Sequence, residues 1–151
     1  MSCRWPEDLD SWVGTFRDRL DDNATFSEHS AGWGVSFDGD ILLTIESDEH
    51  LPEGPMHLVL ELEDGDCLGA RRVEDPDSVA FGVSIAGTYA DWERLLTGEE
   101  DVARIMTQGP FDVDGPKLKL LSYRSALAEL VETARRTDVT FTRLNRTPGA
   151  R

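Results

Sequence analysis

Lysine is nearly missing from this 151-residue chain: Lys117 and Lys119 are its only two, and the rest of its 15 basic residues are arginines. Against them stand 30 acidic residues, for a formal net charge of −15. A field of that sign argues against nucleic acid as a partner, because phosphate binding needs the opposite charge. Acid excess with arginine in place of lysine is the composition of a salt-adapted protein. It predicts a halophilic source, an archaeon above all, where the charge serves solubility and not a cationic partner. Cysteine is scarce too. Cys3 at the chain start and Cys67 in an apolar-polar stretch read as free thiols, with Cys67 a packing residue, and not as a secreted disulfide framework. A chain of this length buries on the order of two thirds of its unfolded surface, so one core holds it without staples. Long apolar runs are missing as well. The longest uncharged stretch, Ser78 to Ala90, falls well short of the ~20 residues of a membrane span. Residues 1–12 carry Arg4, Glu7, Asp8 and Asp10 with no apolar signal segment, so the expected location is cytoplasmic.

Catalytic motifs are absent in the same checkable way. The chain has no G-x-S-x-G, H-E-x-x-H, G-x-x-x-x-G-K-[ST] or G-x-G-x-x-G, and Gly32-Trp33-Gly34 is expected to lead into a strand, not a helix. His29, His50 and His57 are expected in or beside loops, without cysteine or acid at ligand spacing. Asp112, Asp114 and Gly115 are a fragment of a calcium-loop pattern without its remaining ligands, and read as a turn. Glu61, Glu63, Asp64 and Asp66 read as a solvated hairpin tip, the kind of cluster an acidic composition produces. The expectation is a protein with no catalytic residues, no metal and no cofactor: not an enzyme.

Periodicity is what the chain does offer. Leu9, Trp12, Val13, Phe16 and Leu20 recur at helical spacing behind Pro6. After the polar stretch Asp21 to Ser30, Trp33, Val35 and Phe37 alternate as a strand, and Asp38-Gly39 turns the chain into Ile41, Leu43 and Ile45. A loop at His50 to Pro55 precedes the strand of Met56, Leu58, Leu60 and Leu62. Asp64-Gly65 then turns it into a weaker strand, Leu68 to Val73. Val79, Phe81, Val83 and Ile85 alternate with Ala80, Gly82, Ser84 and Ala86, so one face of that strand is bulky and the other admits close packing. Thr88 and Asp91 form a capping box for a helix bearing Trp92, Leu95 and Leu96. Glu99 to Gly109 predicts a second short helix, Phe111 and Val113 a short strand, and Gly115-Pro116 opens one long helix to Arg136. This order of elements is an α+β domain over residues 1–136 with a polar C-terminal tail over 137–151.

Charge is spread unevenly. Residues 110–151 carry eight bases and five acids in an otherwise acidic chain. Such a segment suits transient contact with a membrane surface, or simply complements the acidic body. The apolar residues are uneven too: Trp92, Leu95, Leu96, Val102, Ile105, Met106, Phe111 and Val113 crowd into twenty-two residues. By pattern alone such stripes form an ordinary core.

From Phe81 to Leu130 the chain resembles the sterol carrier protein domain family of non-specific lipid-transfer proteins. The resemblance lies in an apolar strand, then Ala90-Asp91-Trp92-Glu93-Arg94-Leu95-Leu96-Thr97-Gly98, then Ala103-Arg104-Ile105-Met106-Thr107-Gln108-Gly109. Phe111-Asp112-Val113-Asp114-Gly115 and a helix bearing Leu118 and Leu121 follow. Pro110 and Pro116 depart from the family, which often has a basic residue after the second glycine and an acid after the third. The resemblance implies a five-stranded mixed sheet with helices covering one face, a C-terminal helix, and between them a cavity for a fatty-acyl, isoprenoid or sterol-like molecule. Its expected wall is Phe81, Val83, Trp92, Leu95, Leu96, Val102, Ile105, Met106, Phe111, Val113, Leu118 and Leu121. The partner is then an apolar, lipid-like small molecule that the protein carries. The alternative is an accessory or protein-interaction domain of the same fold, its cavity filled by its own side chains.

Overall fold

The computed structural model describes residues 3–5, 8–35, 37–49, 55–97, 109, 111–137 and 139–141. The first helix, α1 (Leu9–Asp21), buries Leu9, Trp12, Val13, Phe16 and Leu20, the stripe its spacing predicts. The polar stretch after it holds a short helix, α2 (Ala24–His29). Asn23 makes this helix, because its side-chain oxygen accepts the Phe26 N–H at 3.0 Å and satisfies one of the free donors of the first turn. The amide end of the same side chain donates to Glu129 Oε1 at 2.9 Å and Thr133 Oγ1 at 2.8 Å, fastening α2 to the C-terminal helix.

The strand expected at Trp33, Val35 and Phe37 does not form; residues 31–35 are a run of turns. Gly32 and Gly34 have φ values of 90° and 83°, a left-handed backbone that breaks extension and that glycine alone adopts freely. The turn drives Trp33 inward, where its indole N–H donates to the Gly39 carbonyl at 2.7 Å, and leaves Val35 exposed.

Beyond it lies a five-stranded sheet of β2 (Ile41–Glu46), β3 (Met56–Glu63), β4 (Asp66–Val73), β5 (Val83–Thr88) and β6 (Asp112–Asp114), in the order β4-β3-β2-β5-β6. It is mixed, since β2 runs parallel to β5 and every other pair is antiparallel. Asp64 and Gly65, at φ 50° and 92°, make the tight turn between β3 and β4 that their sequence predicts. Strand β5 begins only at Val83, so the alternation from Val79 overshoots it. A short 3₁₀ turn, Pro76–Ser78, and an irregular stretch occupy the crossover from the sheet edge. A Cβ at Gly82 would overlap the Asp38 carbonyl, which accounts for a small residue there.

Pleating sorts the side chains. Ile41, Leu43 and Ile45 pair in register with Leu60, Leu58 and Met56, and on the other side Ile41 and Leu43 pair with Val83 and Ile85. These residues share the main core with the helices. The helix α3 (Tyr89–Thr97) starts from a reciprocal cap: the Asp91 N–H donates to Thr88 Oγ1 and the Thr88 N–H to Asp91 Oδ2, both at 3.2 Å.

The single long helix expected from residue 116 is instead two, α4 (Lys117–Ser122) and α5 (Arg124–Arg136). Tyr123, at φ −106° and ψ 25°, lies outside helical geometry while its ring packs edge-on against Trp33 at 5.4 Å. The chain then continues into β7 (Val139–Phe141), which pairs in parallel with β1 (Cys3–Trp5). Part of the segment read as a polar tail thus joins the fold. The predicted helix over Glu99 to Gly109 falls almost wholly outside the described residues.

Candidate functional site: an apolar cavity

Between the inner sheet face and the helices lies a cavity of about 50 Å³. Helix α1 contributes Trp12 and Phe16; the sheet contributes Leu43, Ile45, Leu58 and Ile85. Helix α3 supplies Trp92, Leu95 and Leu96, the chain before β6 supplies Phe111, and α5 supplies Leu130, Val131 and Ala134. Two of these side chains carry a polar atom, and both turn it away into a hydrogen bond. The Trp12 indole N–H donates to the Thr137 carbonyl at 3.3 Å, and the Trp92 indole N–H to the Thr44 carbonyl at 2.9 Å. The wall among the described residues therefore offers no hydrogen bond to an occupant. A void of this kind stays dry and favours apolar matter.

Aromatic contacts set the shape. Trp12 stacks on Phe16 at 5.2 Å, and Trp92 meets Phe111 edge-on at 4.9 Å. Phe111 reaches that position because Gly87 lies beneath it, where an added Cβ would come within 2.5 Å of the ring.

Of the residues expected to form the wall, Trp92, Leu95, Leu96 and Phe111 line this cavity together. Val83 is fully buried in the core without lining the cavity, and Val113 packs against that core half-buried. Phe81 precedes β5 and is 38% exposed. Leu118 and Leu121 are 80% and 54% exposed, because the break at Tyr123 sets α4 so that Leu120 is the leucine turned inward. Val102, Ile105 and Met106 lie outside the described residues. The remaining wall, from α1, β2, β3, β5 and α5, was visible in sequence only as core periodicity.

Among the described residues titratable groups form no reactive cluster near this wall. Burial pushes the Cys67 thiol up to about 11, so it stays protonated and unreactive at neutral pH. His57 is the second residue of β3, and its Nδ1 is 2.9 Å from the Thr44 hydroxyl. Burial lowers its pKa. Glu61 pairs with Arg71 at 3.8 Å, and an Asp64 carboxylate oxygen accepts the Gly32 N–H at 2.8 Å, so these acids hold the hairpin. Among the described residues no group of three His, Cys, Asp or Glu side chains is placed to hold a metal ion. No helix among them is long and apolar enough to cross a membrane.

The architecture has known counterparts. The crystal structure of sterol carrier protein 2 superposes with a TM-score of 0.73 over 85% of this chain and 96% of its own, at 23% identity. The fold is that of sterol carrier protein 2. The solution structure of a conserved hypothetical protein from Thermus thermophilus superposes with a TM-score of 0.71 over 86% of this chain and 88% of its own, at 24% identity. Sterol carrier protein domain 2 of Helicoverpa armigera follows the same course over 90% of this chain and 96% of its own, with a TM-score of 0.55 and 14% identity. No protein-family model matches the sequence, and no curated protein does. At these identities the likeness carries the sterol carrier fold and no more.

Proposed function

We propose that this protein binds one apolar, lipid-like molecule between its sheet and helices, and carries it without altering it. The supporting observation is the cavity wall, apolar throughout its described part, with both indole N–H groups satisfied outside the void. An aliphatic chain entering it gains about 0.8 kcal/mol per buried methylene and needs no polar anchor. The volume sets a condition. Small-molecule sites usually run to roughly 300–1,000 Å³, so about 50 Å³ accepts a lipid only if lining side chains move aside. The acidic composition favours a salt-rich cytoplasm as the setting.

The same small volume favours a second reading, an accessory domain whose cavity is its own packed core. Native mass spectrometry of protein purified from its own source, followed by organic extraction, separates the two. The carrier reading expects one apolar molecule per chain, released by the solvent. A bare chain that co-purifies with another protein supports the accessory domain.

A further inference from the structure

The face of α4 is at odds with the rest of this molecule. A chain of net charge −15 holds only two lysines, and both flank the most exposed of its large apolar side chains among the described residues, Leu118 at 80% exposure. Leu121, 54% exposed, lies one turn further on. No acid occurs between Asp114 and Glu129, whereas Lys117, Lys119 and Arg124 all do. The leucines are presented by a fixed element and not by a loose one. Leu120 anchors α4 in the core, Lys119 Nζ lies 5.6 Å from the centre of the Phe37 ring, and Arg124 donates to the Leu121 carbonyl at 3.2 Å.

We propose that α4 is the face by which this protein docks on an anionic lipid bilayer. Exposed leucines flanked by lysines suit the boundary between headgroups and acyl chains. The leucines enter the apolar layer while the long Lys117 stem keeps its ammonium group among the phosphates. Charge complementarity selects this occupant over a second copy of the chain, since two α4 faces brought together would oppose cation to cation. Repulsion between the acidic body and the same membrane is screened over about 8 Å at about 0.15 M salt and over about 3 Å at about 1 M, so contact confined to one short helix survives it. The resulting attachment is weak, reversible and salt-sensitive. It involves none of the residues found to line the cavity, so it stands or falls separately from the carrier reading.

The test is co-sedimentation with vesicles of phosphatidylcholine alone and of phosphatidylcholine with phosphatidylserine, at the lowest KCl concentration that keeps the protein folded by circular dichroism. The expected result is binding to the phosphatidylserine vesicles, at least tenfold weaker for Leu118→Ser/Leu121→Ser. Lys117→Gln should weaken it too and flatten its dependence on salt. Because Lys117, Leu118 and Leu121 are exposed, both variants should keep the parent's thermal midpoint and its uptake of a fatty acid from solution. Failure of the parent to sediment with anionic vesicles overturns the proposal, as does a leucine variant that binds like the parent. A parent dimer that the leucine variant converts to monomer, seen by sedimentation velocity, overturns it in favour of self-association.

Discussion

Leu96→Ala should destabilise the protein and tighten its hold on a lipid at the same time. Leu96 is buried in α3 and lines the cavity, so its truncation removes packed atoms and enlarges a void that the surrounding core fills only in part. Truncations of this kind cost about 2–5 kcal/mol of unfolding free energy, a loss that urea denaturation at fixed KCl would read. A lipid that has to displace side chains from a cavity of about 50 Å³ meets one obstacle fewer in the variant, so its affinity should rise several-fold. The opposed signs are the point. Loss of stability with unchanged or weaker fatty-acid binding would mean that the void is a packing irregularity.

Thermal stability should climb with KCl. The net charge of −15 is packed into elements that put acids side by side, as in Asp18, Asp21 and Asp22 at the end of α1 and Glu61, Glu63, Asp64 and Asp66 at the β3–β4 turn. Repulsion between exposed carboxylates reaches about 10 Å at 0.1 M salt and about 3 Å at 1 M. Relieving only about 2 kcal/mol of it would raise the midpoint of a chain this size by about 4–8 °C. Asp40 shows the strain at one residue. Burial, and then Asp38 beside it, raise its pKa, so the folded state keeps that proton to higher pH than the unfolded chain does. Stability from Asp40 is therefore gained as the pH falls toward its raised value. A midpoint that stays constant from 0.1 to 2 M KCl would remove salt adaptation from the account.

What the sequence made legible follows from local physics. The α1 stripe, the Asp64-Gly65 turn and the Thr88–Asp91 cap each depend on residues close together in the sequence, and each is found in place. The misplaced elements were decided by partners far along the chain. Trp33 leaves its alternating pattern because Gly32 and Gly34 turn the backbone and Tyr123, ninety residues on, packs against its ring. Asn23 looks like one more polar residue until Glu129 and Thr133 stand beside it. Strand β7 exists only because β1 lies alongside. The phase of α4 was not legible either, because the periodicity reads as one unbroken helix with Leu118 and Leu121 inward, and the break at Tyr123 turns Leu120 inward instead. For the cavity, periodicity shows which face of each element is apolar but not which faces meet. Trp12, Leu43 and Leu130 were therefore visible as core and invisible as wall.

The most direct test is a ¹H–¹⁵N correlation spectrum of the folded protein titrated with a long-chain fatty acid in the absence of vesicles. Binding between sheet and helices predicts shifts concentrated at Leu43, Ile85, Leu96, Phe111 and Ala134, which come from five separate parts of the chain and meet only around the cavity. They should saturate at one fatty acid per chain, with α4 little affected. A spectrum that does not change, or changes confined to the exposed face of α4, would contradict the claim that this cavity is where the protein holds its ligand.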